Sequence, residues 1–258
     1  QSGAIRPLNN MLPRNLFNTE HEAFRETVRK FYAKEVVPNI EKYEQQQHVD
    51  RELWNKAGTM GLLCATMPEA YGGSGVDRLY SMILIEEQAY AMDSSTGFSL
   101  HSDIVANYIN NFGNEAQKHY WLTRMASGET VTAIAMTEPG TGSDLQAVRT
   151  TAVLDGDDYI INGSKIFITN GYLCDMAVVV CKTGDTDKGS ANLSLIIVEA
   201  DRVGFSKGKP LNKIGMKGQD TCELFFDHVR VPKENLLGME GMGFMMLMKE
   251  LAWERMLV

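Results

Sequence analysis

The spacing of apolar residues changes twice along this chain, and that change limits the folds open to it more than any other feature. Up to about residue 128, apolar residues recur three and four positions apart, as they do on one face of a helix. From residue 130 to Pro232 the chain is instead rich in β-branched residues and turn signals, which is typical of short strands. Helical spacing returns at Gly241. We therefore expect a multi-domain α and β protein.

The two changes of period predict three domains. We assign an N-terminal all-α domain to residues 1–128, a middle β-barrel or sandwich domain to 129–238, and the first helix of a truncated C-terminal helical domain to 239–258. Thr19 and Glu22 form a capping-box pattern before the first helix, which Pro38 is expected to end. Asp50 is expected to cap the next helix. Residues 155–158, Asp-Gly-Asp-Asp, separate two apolar runs and predict a β-hairpin.

Composition excludes several classes of function. The 25 basic and 33 acidic residues give a net charge of −8, whereas sequence-independent nucleic-acid binding needs a basic surface. The longest apolar runs, such as Met176 to Cys181, are far shorter than the ~20 residues that span a bilayer. The four cysteines form no CxxC pair and the five histidines show no HxxxH spacing, so we expect no metal site.

The densest polar motif runs from Met136 to Asp144, Met-Thr-Glu-Pro-Gly-Thr-Gly-Ser-Asp. It follows a predicted strand and brings glycines, threonines and a serine into one turn. Backbone amides and hydroxyls in such a turn can bind a flavin edge or a phosphate. The spacing matches neither a dinucleotide-binding GxGxxG nor a P-loop. An ordinary turn that closes a strand is the alternative.

A second motif covers residues 162–171, Asn-Gly-Ser-Lys-Ile-Phe-Ile-Thr-Asn-Gly. Phe167 and Thr169 are two positions apart, so they share one face of a predicted strand. An aromatic ring and a hydroxyl on one face can flank a planar ligand. A core phenylalanine beside a surface threonine is the alternative.

The last helix carries a carboxylate beside an apolar stripe. At ~100° per residue, Phe244, Leu247 and Val258 lie within about 40° of Leu251, and Glu254 lies about 60° away. The other faces are largely Met, Leu and Trp, so we expect the helix to be buried. Burial would raise the pKa of Glu254 into the range of a general base. A structural ion pair with an arginine from elsewhere is the alternative.

Four segments together resemble the acyl-CoA dehydrogenase family. They are residues 68–75, 136–144, 161–171 and 211–232, and the resemblance runs in order over essentially the whole chain. Residues 101–109, 133–146 and 248–255 are most similar to long-chain members of the family.

The resemblance implies a cofactor, a substrate and their contacts. It implies FAD, an acyl-CoA thioester, electron-transfer flavoprotein as electron acceptor and a homotetramer. The FAD contacts that it implies are Ile134, Met136, Thr137, Gly142, Ser143, Phe167, Ile168 and Thr169. The acyl-CoA contacts that it implies are Ser143, Ala252, Trp253, Glu254 and Arg255, with Glu254 as the catalytic base. Members of the family run well past 258 residues, so most of the C-terminal bundle is expected to be missing here.

The implied activity is FAD-dependent α,β-dehydrogenation of a medium- or long-chain acyl-CoA to trans-2-enoyl-CoA in fatty-acid β-oxidation. In it, Glu254 removes the α-proton while hydrogen bonds to the thioester carbonyl stabilise the enolate. An acyl-CoA oxidase or a flavin monooxygenase on the same fold remains an alternative, and so does a non-catalytic scaffold member. The expected location is the cytoplasm for a bacterial protein and the mitochondrial matrix for a eukaryotic one.

Overall fold

Helices lie before and after a block of strands, as the change of period predicts. The structure, a computed structural model, describes residues 15–184 and 192–257, so residues 1–14 of the predicted first domain lie outside it. The α-helices are α1 (Thr19–Phe31), α2 (Ile40–Gln46), α3 (Arg51–Thr59), α4 (Arg78–Tyr90), α5 (Ala106–Phe112), α6 (Glu115–Gln117), α7 (Thr123–Ala126) and α8 (Gly243–Leu257). Shorter π-helical turns cover Tyr32–Val36, Leu100–Val105 and Lys118–Leu122, and 3₁₀ turns cover Val37–Asn39, Glu69–Tyr71, Leu145–Ala147 and Lys233–Asn235.

The start of α1 and the role of Pro38 differ from the prediction. Asn18 is the N-cap: its side chain accepts from the His21 amide at 3.0 Å, and its own amide donates to the His21 ring at 3.2 Å. The capping box predicted at Thr19 is therefore wrong by one residue. Pro38 does not end the helical path, because it lies in the first turn of the 3₁₀ segment, where a missing N–H breaks no hydrogen bond, and α2 follows directly.

The strands form one eight-stranded sheet within the described residues. They are β1 (Thr132–Ala135), β2 (Thr151–Asp155), β3 (Asp158–Thr169), β4 (Met176–Thr183), β5 (Leu193–Glu199), β6 (Phe205–Lys207), β7 (Thr221–Pro232) and β8 (Leu236–Leu237). Their order is β6-β7-β3-β2-β4-β5-β8, and β1 pairs in parallel with β4. The predicted hairpin is confirmed, since Asp155 pairs with Asp158 across a two-residue turn in which Gly156 has φ +65°.

The sheet encloses one core and shares a second with the helices. Alternate residues of β4 face opposite ways: Val179 packs in a cluster built from β1, β2, β3, β5 and β7, whereas Val178 packs with helical residues such as Ile109 and Leu122. The first cluster is the core of the predicted barrel or sandwich. Because β4 and β5 are buried on both faces, they read as continuous apolar runs in the sequence.

One face of α8 packs against this second core. Leu247 is fully buried, and Phe244 and Leu251 are half-buried against the same cluster, so the predicted stripe is confirmed for these three residues. Val258 lies outside the described residues. The prediction of a helix buried all round is wrong for this structure, because Met245 and Met256 are 58% and 79% exposed.

No helix in the described part of the chain is both long enough and apolar enough to span a bilayer.

Candidate active site

A buried carboxylate holds the first motif in place. Glu138 is 7% exposed and accepts hydrogen bonds from the Arg149 amide at 2.7 Å and from the Thr150 amide and hydroxyl at 2.9 and 2.6 Å. Its own backbone pairs with that of Thr141 in both directions. The loop after β1 is therefore closed on itself and fixed to the start of β2.

The same carboxylate binds a lysine that is completely buried. Lys165 donates to Glu138 at 2.9 Å and to the carbonyl oxygens of Met136 and Val180 at 3.2 and 2.7 Å. Burial lowers the pKa of Lys165, and the Glu138 charge offsets part of that effect. Burial by itself raises the pKa of Glu138, but the Lys165 charge and the Thr150 hydrogen bonds outweigh it and leave the pKa lowered. The two groups form an ion pair inside the protein.

The second motif contains an irregular turn of the backbone at Phe167. This residue has φ +61°, in the left-handed region that non-glycine residues rarely adopt, and it lies at a register shift between β3 and β7. Its ring is 63% exposed, while the next side chain, Ile168, is 3% exposed and packs in the β core. The bulge therefore presents an aromatic ring at the surface of the sheet.

The two motifs lie side by side. The Ile166 amide donates to the Thr137 carbonyl oxygen at 2.9 Å, next to Phe167. The implied cofactor contacts Ile134, Met136, Thr137 and Thr169 are half-buried, and Gly142 and Ser143 are exposed. A Cβ built on Gly142 would meet nothing within 4 Å. Apart from Ile168, whose side chain faces the core, these residues line an accessible surface.

The third candidate, Glu254, is half-buried on α8 and is held by a tyrosine. The Tyr108 hydroxyl donates to its Oε1 atom at 2.6 Å. Burial is the largest influence on Glu254 and raises its pKa; the nearby Glu250 charge adds to this, while Tyr108 and Arg255 oppose it. No salt bridge to Glu254 is formed within the described residues, so the structure does not support the alternative of a structural ion pair with a distant arginine.

Trp253, beside Glu254, is fixed from two sides. Its indole N–H donates to the Asp103 carbonyl oxygen at 3.1 Å, and the Arg78 guanidinium lies 4.0 Å from its ring centroid. The other two implied substrate contacts on this turn, Ala252 and Arg255, are exposed.

One core connects two of the candidate segments. Ile134 of β1, Met136 of the first motif and Leu251 of α8 pack against the same cluster, which also contains Tyr108. The π-helical turn Leu100–Val105 contacts both β1 and α8. The structure thus places the Glu254 turn and the Met136 loop at two sides of one helical layer.

Tyr108, Glu138 and Lys165 were not predicted from the sequence as functional residues. A lysine four positions after the buried Ile161 on one strand is the signal that indicates Lys165. Nothing local in the sequence links Tyr108 to Glu254, which follows it by well over a hundred residues. Within the described residues no group of His, Cys, Asp and Glu side chains has the arrangement of a metal site.

Two family models match the chain in sequence order. The N-terminal domain model of acyl-CoA dehydrogenases matches residues 18–129, and the middle domain model matches residues 133–229. The chain belongs to the acyl-CoA dehydrogenase family.

Known acyl-CoA dehydrogenases show how far the likeness extends. The chain is 49% identical over 259 aligned residues to the mitochondrial long-chain specific acyl-CoA dehydrogenase of Sus scrofa. The alignment covers all of this chain and 60% of the pig protein. The crystal structure of an acyl-CoA dehydrogenase from Geobacillus kaustophilus superposes with a TM-score of 0.91 at 46% identity, over 94% of this chain and 64% of that one. An acyl-CoA dehydrogenase of Bacillus anthracis, solved with FAD, gives a TM-score of 0.85 at 36% identity, over 93% of this chain and 42% of that one.

Proposed function

We propose that this chain contributes to an enzyme that dehydrogenates an acyl-CoA thioester between its α- and β-carbons, with FAD as the cofactor, and so forms a trans-2-enoyl-CoA in fatty-acid β-oxidation. The observation that carries the proposal is Glu254, a half-buried carboxylate with a raised pKa that the Tyr108 hydroxyl holds on α8, the helix that packs on the same core as Met136. A free carboxylate ionises near pH 4, and a raised pKa makes it a stronger base toward a weak carbon acid.

The residues of the two motifs fit a flavin. The Phe167 ring is exposed at a strained backbone position, and strained positions of this kind cluster at ligand sites. The hydroxyls of Thr137, Ser143 and Thr169 make no hydrogen bond within the described chain, so each remains available to a ligand. The FAD-bound relative from Bacillus anthracis supports this assignment at 36% identity.

The role of each residue follows from its place. Thr137 would bond a polar edge of the flavin, and Phe167 would cover a face of its ring system. Ser143, Ala252, Trp253 and Arg255 would bind the acyl-CoA, and Glu254 would take the α-proton onto its carboxylate. FAD, when bound, supplies the acceptor for the β-hydrogen and its two electrons.

The finer features of the protein are part of the proposal. The 49% identity to a long-chain specific enzyme supports a medium- or long-chain substrate. Electron-transfer flavoprotein as the acceptor and a homotetrameric assembly are proposed by resemblance to the family. The mitochondrial location of the pig relative supports the matrix for a eukaryotic source, and the cytoplasm is proposed for a bacterial one.

Anaerobic titration with saturated acyl-CoAs of different lengths tests the activity. We expect the flavin absorption band to bleach at stoichiometric substrate and to bleach fastest with medium or long chains. Rapid reoxidation of the reduced protein by air would instead favour an oxidase or monooxygenase. A protein that purifies without flavin and cannot be reconstituted with it would favour the scaffold role.

Replacement of the proposed base tests its assignment. We expect Glu254→Gln to slow flavin reduction by at least ~100-fold, because the amide keeps the size but cannot accept the proton. FAD content and acyl-CoA binding should be retained. Glu240→Gln is the matched control, since Glu240 also accepts from a tyrosine hydroxyl, at 2.8 Å, but lies outside the site. A normal reduction rate in Glu254→Gln, with a lowered melting temperature, would move the base to another residue.

A further inference from the structure

Helix α5 presents two hydrogen-bond donors to two carboxylates of α8. The Tyr108 hydroxyl lies 2.6 Å from Glu254 Oε1, and the Asn111 amide lies 2.8 Å from Glu250 Oε1. The donors are three positions apart and the acceptors four, so each set lies along one face of its helix. The two helices are thus joined by two neighbouring hydrogen bonds and not by one alone.

Tyr108 donates to the Glu254 carboxylate in this contact. Its side chain is 0% exposed, and burial, reinforced by the Glu254 and Glu250 charges, raises the pKa of its phenol far above neutrality. The phenol therefore keeps its proton throughout the physiological range. The other carboxylate oxygen, Glu254 Oε2, forms no hydrogen bond within the described residues and remains open to a substrate proton.

The charged groups around Glu254 shift its pKa in opposite directions. On α8 itself, buried Glu250 lies one turn away and favours the protonated form, while exposed Arg255 favours the ionised form. On the elements packed against α8, Asp103 is bonded to the Ser81 hydroxyl, and the Arg78 guanidinium covers Trp253. Among these groups, the Tyr108 hydroxyl alone donates directly to the Glu254 carboxylate. A donor stabilises the charged carboxylate more than the neutral acid.

We propose that Tyr108 is a positioning residue for the catalytic base: its hydroxyl holds Oε1 of Glu254 on the α5 side, leaves Oε2 for the α-proton, and favours the ionised form of the carboxylate. The inference rests on the proposed function. Desolvation makes Glu254 a strong base but also favours its premature protonation, and Tyr108 offsets the second effect. The contact therefore sets the balance between the strength of Glu254 as a base and the fraction of it that is ionised.

The test is the pH profile of flavin reduction in Tyr108→Phe. Anaerobic rapid mixing with a saturating acyl-CoA that reduces the wild-type flavin gives the limiting rate constant at each pH. We expect the midpoint of the acidic limb to rise by about one pH unit, because the ionised form of Glu254 loses its donor. The plateau at high pH should match the wild type or exceed it, since a base of higher pKa is intrinsically stronger. Below the midpoint the variant should be about tenfold slower.

Tyr159→Phe is the matched control. Tyr159 is also buried and also donates to a glutamate, Glu240, at 2.8 Å, but it lies in β3 outside the site. Its variant should keep the wild-type midpoint. A purely structural role for Tyr108 would lower the rate equally at every pH and leave the midpoint in place, and that result would overturn the inference.

A second variant and the behaviour of the wild type distinguish a wrong inference from a variant that does not fold and from a wrong proposed function. If Tyr108→Phe does not fold, 3-fluorotyrosine at position 108 keeps the shape but makes the phenol a stronger donor, so the midpoint should fall; an unmoved midpoint overturns the inference. If no acyl-CoA reduces the wild-type flavin, the proposed function is itself wrong and the inference is overturned with it. A reducible wild type with an unshifted Tyr108→Phe profile overturns the inference alone.

Discussion

Phe167 combines two properties that each reduce stability. A left-handed φ costs a residue with a Cβ atom roughly 1–2 kcal/mol, and a ring that is 63% exposed gains little from the hydrophobic effect. Strained positions of this kind persist where the surrounding structure imposes them, and they cluster at ligand sites. The residue therefore gives a means of separating folding stability from ligand binding.

Phe167→Gly should stabilise the fold and weaken the site. We expect the free energy of unfolding of the flavin-free protein to rise by up to ~1 kcal/mol, because glycine adopts positive φ without strain. FAD affinity should fall by about tenfold or more. Urea unfolding and FAD titration measure the two effects. His228→Gly is the control: His228 also has positive φ in a strand, at +52°, and is exposed outside the site, so FAD affinity should not change. Equal FAD affinity in both variants would contradict a flavin contact for Phe167.

Thr137→Val tests the first motif at a single atom. Valine keeps the shape of threonine but removes the hydroxyl, so a polar atom of the flavin should lose its partner at a cost of roughly 1–3 kcal/mol. We expect weaker FAD binding or a shifted flavin potential, measured by titration and by reductive titration with a reference dye. Unchanged values for both would return the 136–144 segment to an ordinary turn.

At the scale of elements, the sequence predicts those parts of the fold that depend on local periodicity. Helix α3 begins directly after Asp50, and strands β2 and β3 flank the hairpin at residues 155–158, as the local pattern predicts. Asp50 precedes α3 as expected, but its carboxylate binds Lys42 and Gln46 instead of capping the helix, because those partners come from a neighbouring helix. Tertiary neighbours decide which of several hydrogen bonds a polar side chain makes.

In the candidate site, too, local sequence predicts some features, and others depend on tertiary contacts. The motifs of the sequence predict the Thr137 loop, the strand at Phe167 and the carboxylate Glu254 as parts of the site. The positive φ of Phe167 and the ion pair between Glu138 and Lys165 could not be predicted, since both depend on how β3 packs against β1, β4 and β7.

Lys165→Met tests the ion pair that joins strand β3 to Glu138 in the loop after β1. A buried ion pair contributes little relative to an apolar pair, but removal of one partner leaves an uncompensated charge. We expect the free energy of unfolding to fall by about 3–5 kcal/mol, as measured by urea denaturation. The double variant Glu138→Gln with Lys165→Met should lose clearly less than the sum of the two single losses. Strictly additive losses would mean that the two side chains stabilise the protein independently.

At the scale of the whole molecule, His101 joins the helices to the sheet. Its Nε2 atom lies 3.1 Å from the Met125 carbonyl oxygen, and its Nδ1 atom accepts from the Thr132 amide at 3.3 Å. Complete burial lowers the pKa of His101 to about 4, so the ring is neutral in the folded protein. His101 thus bonds Met125 in the last helix before the sheet and Thr132 at the start of β1.

The contribution of His101 to stability should therefore be lost in mild acid. Between pH 6.5, the ordinary pKa of histidine, and about pH 4, the unfolded chain binds a proton at His101 that the folded protein does not. The free energy of unfolding should fall across this window by about 3 kcal/mol from this residue. Buried Asp103 acts in the opposite direction, because burial raises its pKa to about 6. The difference in slope between wild type and His101→Gln, from urea unfolding at each pH, isolates the histidine; equal slopes would contradict the prediction.

The core shared by the helices with β4 and β5 also affects how the protein is made. The face of α5 that carries Ile109 is completed by Val178 and Ile197, which a ribosome adds much later. At ~5–20 residues per second, the newly made helices expose this apolar face for several seconds before its partners leave the exit tunnel. During that interval the nascent chain offers a binding site to chaperones, and slow translation between α7 and β5 would prolong it.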